Sequence, residues 1–256
     1  MEDLGKINHI LGMKIDYNQD MVIATLDQSG YIAKAIEDLN LQNIKRKTIP
    51  MSTNLTLSNE DSPNTEDQSD EMKSKPYAQA IGKLNWIAQA SRPDFAFATS
   101  IRQIYGYLKN TIDTKIEFKK QMNPLNRYCK GVILQKDIKG HVDADYAGCW
   151  DTARSTTGCV YTYSGGEIAW TSKRQKCVAT STGEAEYMAI KHGSDIAIWL
   201  RNVMKHFGRE LKSPITIKTD NTAALTNIIN PGSITALKHI RVQYHAGKER
   251  HERKEI

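Results

Sequence analysis

Asp143 and Asp145 stand in Gly140-His141-Val142-Asp143-Ala144-Asp145-Tyr146-Ala147-Gly148. Glu184 and Glu186 stand in Ser181-Thr182-Gly183-Glu184-Ala185-Glu186-Tyr187-Met188-Ala189, and Asp220 in Ile215-Thr216-Ile217-Lys218-Thr219-Asp220-Asn221. Magnesium is a hard cation that takes oxygen ligands, and carboxylates converging from separate segments are the usual protein donors. Beside a phosphodiester such a cation supports hydrolysis. A strand-borne Asp, a helix-borne Glu and a strand-end Asp therefore point to a carboxylate cluster holding Mg²⁺.

The elements that must position these groups follow from local pattern. In an extended 140–146 segment side chains alternate. His141, Asp143 and Asp145 share one face; Val142, Ala144 and Tyr146 share the other and are available for packing. An acidic strand face is also what a solvated edge strand shows. Ser181 and Glu184 have the capping-box spacing, with Ser181 as N-cap and Glu184 folding back on its amide. The helix continues through Met188, Ala189, Ile196, Ala197, Leu200 and Met204. Glu184 then has a structural task and Glu186 is left for chemistry, at the border of the apolar stripe. For Asp220 two readings stand: a ligand at the carboxyl end of strand 215–217, or the N-cap of a helix beginning at Thr222.

Further along the same region, Cys159–Tyr163 and Glu167–Thr171 read as strands joined by the turn Ser164-Gly165-Gly166. Lys173-Arg174-Gln175-Lys176 follows, between hairpin and helix. It is the best phosphate-contact segment of the region, its alternative being an ordinary basic loop. Upstream, Ile7–Ile15 and Met21–Leu26 pair across Tyr17-Asn18-Gln19-Asp20, and Ser29–Leu39 reads as a helix. Residues 58–71 are acidic and polar without a basic residue, the composition of a mobile linker. Tyr77–Leu108 reads as two helices, restarted at Arg92-Pro93-Asp94, with Trp86 and Phe95 in the core. The divisions are 1–57, an acidic linker 58–75, a helical region 76–134, and an acidic-site domain 135–256.

Composition bounds the partners. The net charge is +6 and the pI about 9.0, which suits a polyanion. Hydrophobic residues make up 39% and charged residues 25%, the balance of a globular protein with a buried core. No apolar run approaches membrane-spanning length, and the N-terminus lacks a signal-peptide pattern. Cys129, Cys149, Cys159 and Cys177 show neither CxxC nor zinc spacing, so reduced thiols in an intracellular protein are expected, in a cytoplasmic particle or the nucleus.

The motifs resemble a known family. Asp143 to Gly148, Arg154-Ser155-Thr156-Thr157-Gly158, Ile168 to Gln175, Glu184-Ala185-Glu186-Tyr187, Ile198-Trp199-Leu200, Asp220-Asn221 and Lys238-His239-Ile240 resemble, in order, the ribonuclease H domain of copia-type LTR retrotransposon Pol polyproteins. Asp3-Leu4-Gly5 with Leu11-Gly12 resembles the segment after the reverse-transcriptase palm. Tyr77–Asp94 resembles the connection between the two enzymes. The resemblance implies an α/β fold: an RNase H-like mixed five-stranded sheet flanked by helices, preceded by a smaller α+β reverse-transcriptase remnant. It implies metal-dependent hydrolysis of RNA in RNA/DNA hybrids, with Asp143, Glu186 and Asp220 as catalytic metal ligands. The cofactor is Mg²⁺, with Mn²⁺ as substitute, and the partners are the hybrid and the remainder of the polyprotein, with no membrane.

In the corresponding mechanism two ions about 3.5–4 Å apart flank the scissile phosphate. Asp143, Glu186 and Asp220 would hold them, and Gln175 and Asn221 would be the residues to contact the 2′-hydroxyl that distinguishes RNA. The sequence also departs from the family. There is no polymerase palm, Arg241 replaces an Asp after Lys238-His239-Ile240, and 121–140 looks shortened. It ends at Ile256 before the expected last strand, helix and fourth acidic ligand. The expectation is a truncated ribonuclease H with impaired activity. The alternative is a non-catalytic nucleic-acid-binding or polyprotein-assembly fragment of the same fold.

Overall fold

The computed structural model describes residues 6–18, 23–52, 55, 57–98, 100–119, 137–229, 250, 252 and 253. The chain forms two compact units, 1–120 and 121–256.

In the first unit, β1 (His9–Ile10), β2 (Met13–Asn18), β3 (Ile23–Asp27) and β4 (Ile116–Lys119) form an antiparallel sheet in that order. The expected single strand over 7–15 is broken into β1 and β2 by Leu11 and Gly12, both at positive φ (51° and 78°). Two consecutive left-handed residues make the tight hairpin turn whose twist matches the strands, and Gly12 adopts it without steric cost. The helices are α1 (Ser29–Asp38), α2 (Glu66–Lys73), α3 (Tyr77–Ala90) and α4 (Ile101–Asn110). Ala80, Leu84 and Ile87 recur at helical spacing on α3 and bury against Ile32, Ala35 and Ile36 of α1 and Ile104, Tyr105 and Leu108 of α4. Phe95 joins this core, as expected, whereas Trp86 is half-buried. Pro93 opens a short 3-10 turn rather than the second helix itself.

The acidic stretch is ordered locally. Ser58 caps a 3-10 turn, and the Thr65 hydroxyl accepts from the Gln68 amide to start α2; neither element has a buried residue. Cap chemistry outweighs an unfavourable composition there. The strand β4 gave no sequence signal. By pairing with β3 it joins what looked like separate regions before and after the acidic stretch.

In the second unit, β5 (Lys139–Asp145), β6 (Thr156–Tyr163), β7 (Gly166–Arg174) and β8 (Thr216–Lys218) form a sheet of order β7-β6-β5-β8. The first three strands are antiparallel neighbours. β8 lies parallel to β5, pairing Lys139 with Thr216 and His141 with Lys218. A parallel pair needs a long crossover. Here the β6–β7 hairpin and α5 (Thr182–His206) lie between the two strands in the chain, and α6 (Thr222–Ile229) follows β8. Three antiparallel strands with a parallel fourth beyond a crossing helix are the RNase H-like mixed α/β arrangement that the resemblance implied; the fifth strand is not among the described residues.

α5 lies on the sheet through Ala189, Ala197 and Leu200, against Val142, Cys159 and Tyr161. The approach is close at Gly193, where an added Cβ would lie 2.6 Å from Val142 Cγ2, and the Tyr161 hydroxyl donates to the Gly193 carbonyl at 2.6 Å. Among the described residues no helix is long and apolar enough to cross a membrane. The expected charged helix over 237–256, its histidines, and the segment around Tyr128-Cys129-Lys130-Gly131 fall mostly or wholly outside the described residues.

Candidate metal centre

β5 carries the alternation that the sequence shows. Gly140 and Val142 are buried, while His141, Asp143 and Asp145 are exposed. The alternation stops at Asp145. Tyr146, expected on the packing face, has left the strand and is 41% exposed.

α5 begins as its sequence dictates. The Ser181 hydroxyl accepts from the Glu184 amide at 3.2 Å. The Glu184 carboxylate, however, accepts from the Thr180 amide and hydroxyl, both at 2.6 Å, instead of folding back on Ser181. Either partner occupies Glu184, so Glu186 remains the free carboxylate of the helix start, 7% exposed. Asp220 ends the β8 segment. The two readings of it separate here, because the Asn221 side chain caps α6, its Oδ1 accepting from the Ala224 amide at 2.8 Å. Asp220 is therefore not needed as a cap and is exposed.

The three elements bring Asp143, Glu186 and Asp220 together: one carboxylate oxygen from each lies within 4.8 Å of the others. Residues 77 positions apart in sequence meet because β8 returns parallel to β5 and α5 starts above both. The electrostatics are unbalanced. Burial, then the charge of Asp143, pushes the Glu186 carboxyl up to about 7, against the lowering effect of the Ala144 amide. Burial and the Asp143 charge also raise Asp145. Glu186 Oε2 is buried without a hydrogen-bond partner. An orphaned buried carboxylate oxygen crowded by like charge is costly unless something cationic meets it. The donor set, carboxylate oxygens alone, fits Mg²⁺ or Mn²⁺ rather than a soft metal.

The basic segment is also at this end of the sheet. Lys173 and Arg174 complete β7, which ends three residues later than the sequence suggested, and with Lys176 they are exposed. They line a cavity of about 150 Å³ with Thr157, Gln175 and His192. Gln175 departs from its expected contact with a 2′-hydroxyl. It is 8% exposed, and its amide donates to Thr157 Oγ1 at 3.0 Å and to the Ala185 carbonyl at 2.9 Å, tying β7 to the start of α5. Asn221 spends its Oδ1 on the cap of α6. Two participants escaped sequence reading. The Ala144 amide has no side-chain signature. His192 is one helical turn beyond Met188, which also lines the cavity, and that spacing was a usable signal.

No family model matches the chain. Over 250 residues, 96% of its length, it is 35% identical to the retrovirus-related Pol polyprotein from transposon TNT 1-94 of Nicotiana tabacum. Over 232 residues it is 27% identical to the Pol polyprotein from transposon RE2 of Arabidopsis thaliana. The chain belongs to the copia-type retrotransposon Pol polyproteins. It covers 19% of the Nicotiana polyprotein and 15% of the Arabidopsis one, so it corresponds to a short stretch of each. Among solved structures, RNase H1 from Halobacterium salinarum aligns at TM-score 0.32 and 15% identity, over 44% of this chain and 75% of that one.

Proposed function

We propose that residues 135–256 of this Pol polyprotein segment are a ribonuclease H-type nuclease unit, hydrolysing the RNA strand of RNA/DNA hybrids with Mg²⁺ or Mn²⁺. The observation that carries this reading is the convergence of Asp143, Glu186 and Asp220 from β5, α5 and the end of β8. A divalent cation in such a site lowers the pKa of bound water and stabilises charge developing on a phosphodiester.

The chain's own residues do the positioning. Asp143 and Asp220 offer exposed carboxylates from the solvent side, and Glu186 offers a buried one from beneath. The Ala144 amide orients Glu186. The Asn221 cap fixes the turn that carries Asp220. Gln175 holds β7 against the start of α5, and Lys173 and Arg174 finish β7 at the end of the sheet where β5 carries Asp143, so that they can meet backbone phosphates.

A binding-only role is the second reading, and the cationic cavity wall of Lys173, Arg174 and Lys176 favours it, because that surface attracts a polyanion without any metal. The test is cleavage of a labelled RNA/DNA hybrid by the folded chain in Mg²⁺ and in Mn²⁺, beside Asp143→Asn. Metal-dependent cutting that the substitution abolishes is the expected result. Salt-dependent hybrid binding with no cutting in either metal would replace the nuclease reading with the second one.

A further inference from the structure

The loop joining β5 to β6 leaves the sheet where Asp143 and Asp145 end their strand. It is a built loop. The Cys149 amide donates to the Arg154 carbonyl at 3.1 Å, and the Ala153 amide donates back to the Cys149 carbonyl at 2.8 Å. The Ala147 amide donates to the hydroxyl of Ser155, which is fully buried. Gly148 sits against the Asp145 carboxylate, so close that a Cβ there would fall 1.7 Å from Asp145 Oδ2. On this loop Trp150 is 74% exposed, and it takes no part in the core clusters. Two arginines belong to the same end of the sheet. Arg154 is in the loop, and Arg174 pairs with Thr156 across the adjoining strands. The Arg174 charge also reaches Cys149, whose thiol is lowered first by its hydrogen bond with Thr152 and further by that charge.

A large aromatic ring kept in water, on a backbone already closed by hydrogen bonds and with arginines on its own loop and on the adjoining strand, presents a flat face at little entropic cost. Aromatic faces among cations recognise nucleic acid by stacking on bases. Bases inside a duplex are covered on both faces, so such a ring meets a base where a strand is unpaired or ends. We propose that Trp150 stacks on an unpaired nucleobase next to the hybrid and directs the site to junctions between hybrid and single strand. This rests on the nuclease reading above and adds to it a specificity-determining residue.

The test compares the full chain's affinity for a blunt RNA/DNA hybrid, a hybrid with a single-stranded DNA overhang, and one with an abasic overhang of equal charge. It is read by fluorescence anisotropy in EDTA, so that cleavage does not intervene. The wild-type chain should bind the normal overhang about fivefold or more tighter than the blunt hybrid, with little gain from the abasic one. Trp150→Ala should lose that preference and Trp150→Phe should keep most of it, all three chains giving the same circular dichroism. A preference that survives in Trp150→Ala, or an equal gain from the abasic overhang, overturns the proposal. If the wild-type chain cuts hybrid but shows no overhang preference, only the stacking role falls. If it binds none of the three probes, the stacking role falls, and the nuclease reading stands or falls on the cleavage test above.

Discussion

Arg92 in the first unit and Glu186 in the second are both buried ionisable side chains, and their surroundings are opposite. Arg92 is fully buried and fully answered. Its guanidinium forms a two-bond fork with Asp94 at 2.9 and 2.7 Å and donates to the Thr111 carbonyl and hydroxyl at 3.0 and 2.6 Å. It also lies over the Tyr107 ring. Burial alone would raise Asp94, but the Arg92 hydrogen bond and charge hold it below its ordinary value. Glu186 meets only one main-chain amide and two further carboxylates, keeps an unpartnered oxygen, and is driven up to about 7. Charge that is compensated within the fold stabilises it. Charge left uncompensated is tolerated where a cation from outside completes it.

The sharpest way to break this comparison is at the compensated end. Arg92→Met should cost about 3 kcal/mol in urea unfolding of the first unit, because it strands Asp94 and the Thr111 acceptors. A loss under about 1 kcal/mol would mean that the Arg92 network is ornamental.

At the uncompensated end the sign should reverse. Glu186→Gln should stabilise the metal-free chain by about 1–2 kcal/mol while removing cleavage. The pH dependence has the same origin. The folded pKa of Glu186, about 7, is above its ordinary value of 4.5, so the folded state holds the proton more tightly than the unfolded one. The stability this confers is complete below about pH 4.5 and is lost as the pH rises through 7. Without metal, Tm should fall across that window; Mg²⁺ should restore it at the upper end, and Glu186→Gln should flatten the curve. A metal-free Tm that rises across the window would show that the carboxylates do not crowd one another.

The smallest effect should come from the support of Asp220. Asn221→Ala removes the α6 cap and should cost about 1 kcal/mol in thermal unfolding. It should also weaken the Mg²⁺-induced rise in Tm. An unchanged metal response would mean that Asp220 is positioned by β8 alone.

Much of the site was legible before any fold was known, for local reasons. Val142 and Asp143 fall on opposite faces because a strand has period two. Ser181 caps α5 because its hydroxyl is the right distance from the next turn's amides. Gly165 turns the β6–β7 hairpin at a φ of 86° that glycine adopts freely. What was not legible had a common cause. Gln175 and Asn221 are polar residues next to the site in sequence, and sequence does not show whether a polar side chain faces solvent or spends its hydrogen bonds inside. Thr157 and Ala185 claimed the first and Ala224 the second. β4 was missed because Ile116-Glu117-Phe118-Lys119 is too short to show periodicity, and its only warrant is its partner β3.

The sequence by itself determined which carboxylates were available, which helix turn would spend Glu184 and spare Glu186, and that the chain belongs with the copia-type Pol polyproteins. Only the tertiary structure decided that Asn221 and not Asp220 caps α6, so that the Asp220 carboxylate is left to meet those of Asp143 and Glu186, that one oxygen of Glu186 is left unanswered, and that Trp150 stands in water. Those facts depend on which groups meet across the sheet and on what burial does to their charge, and neither is a property of neighbours in the chain.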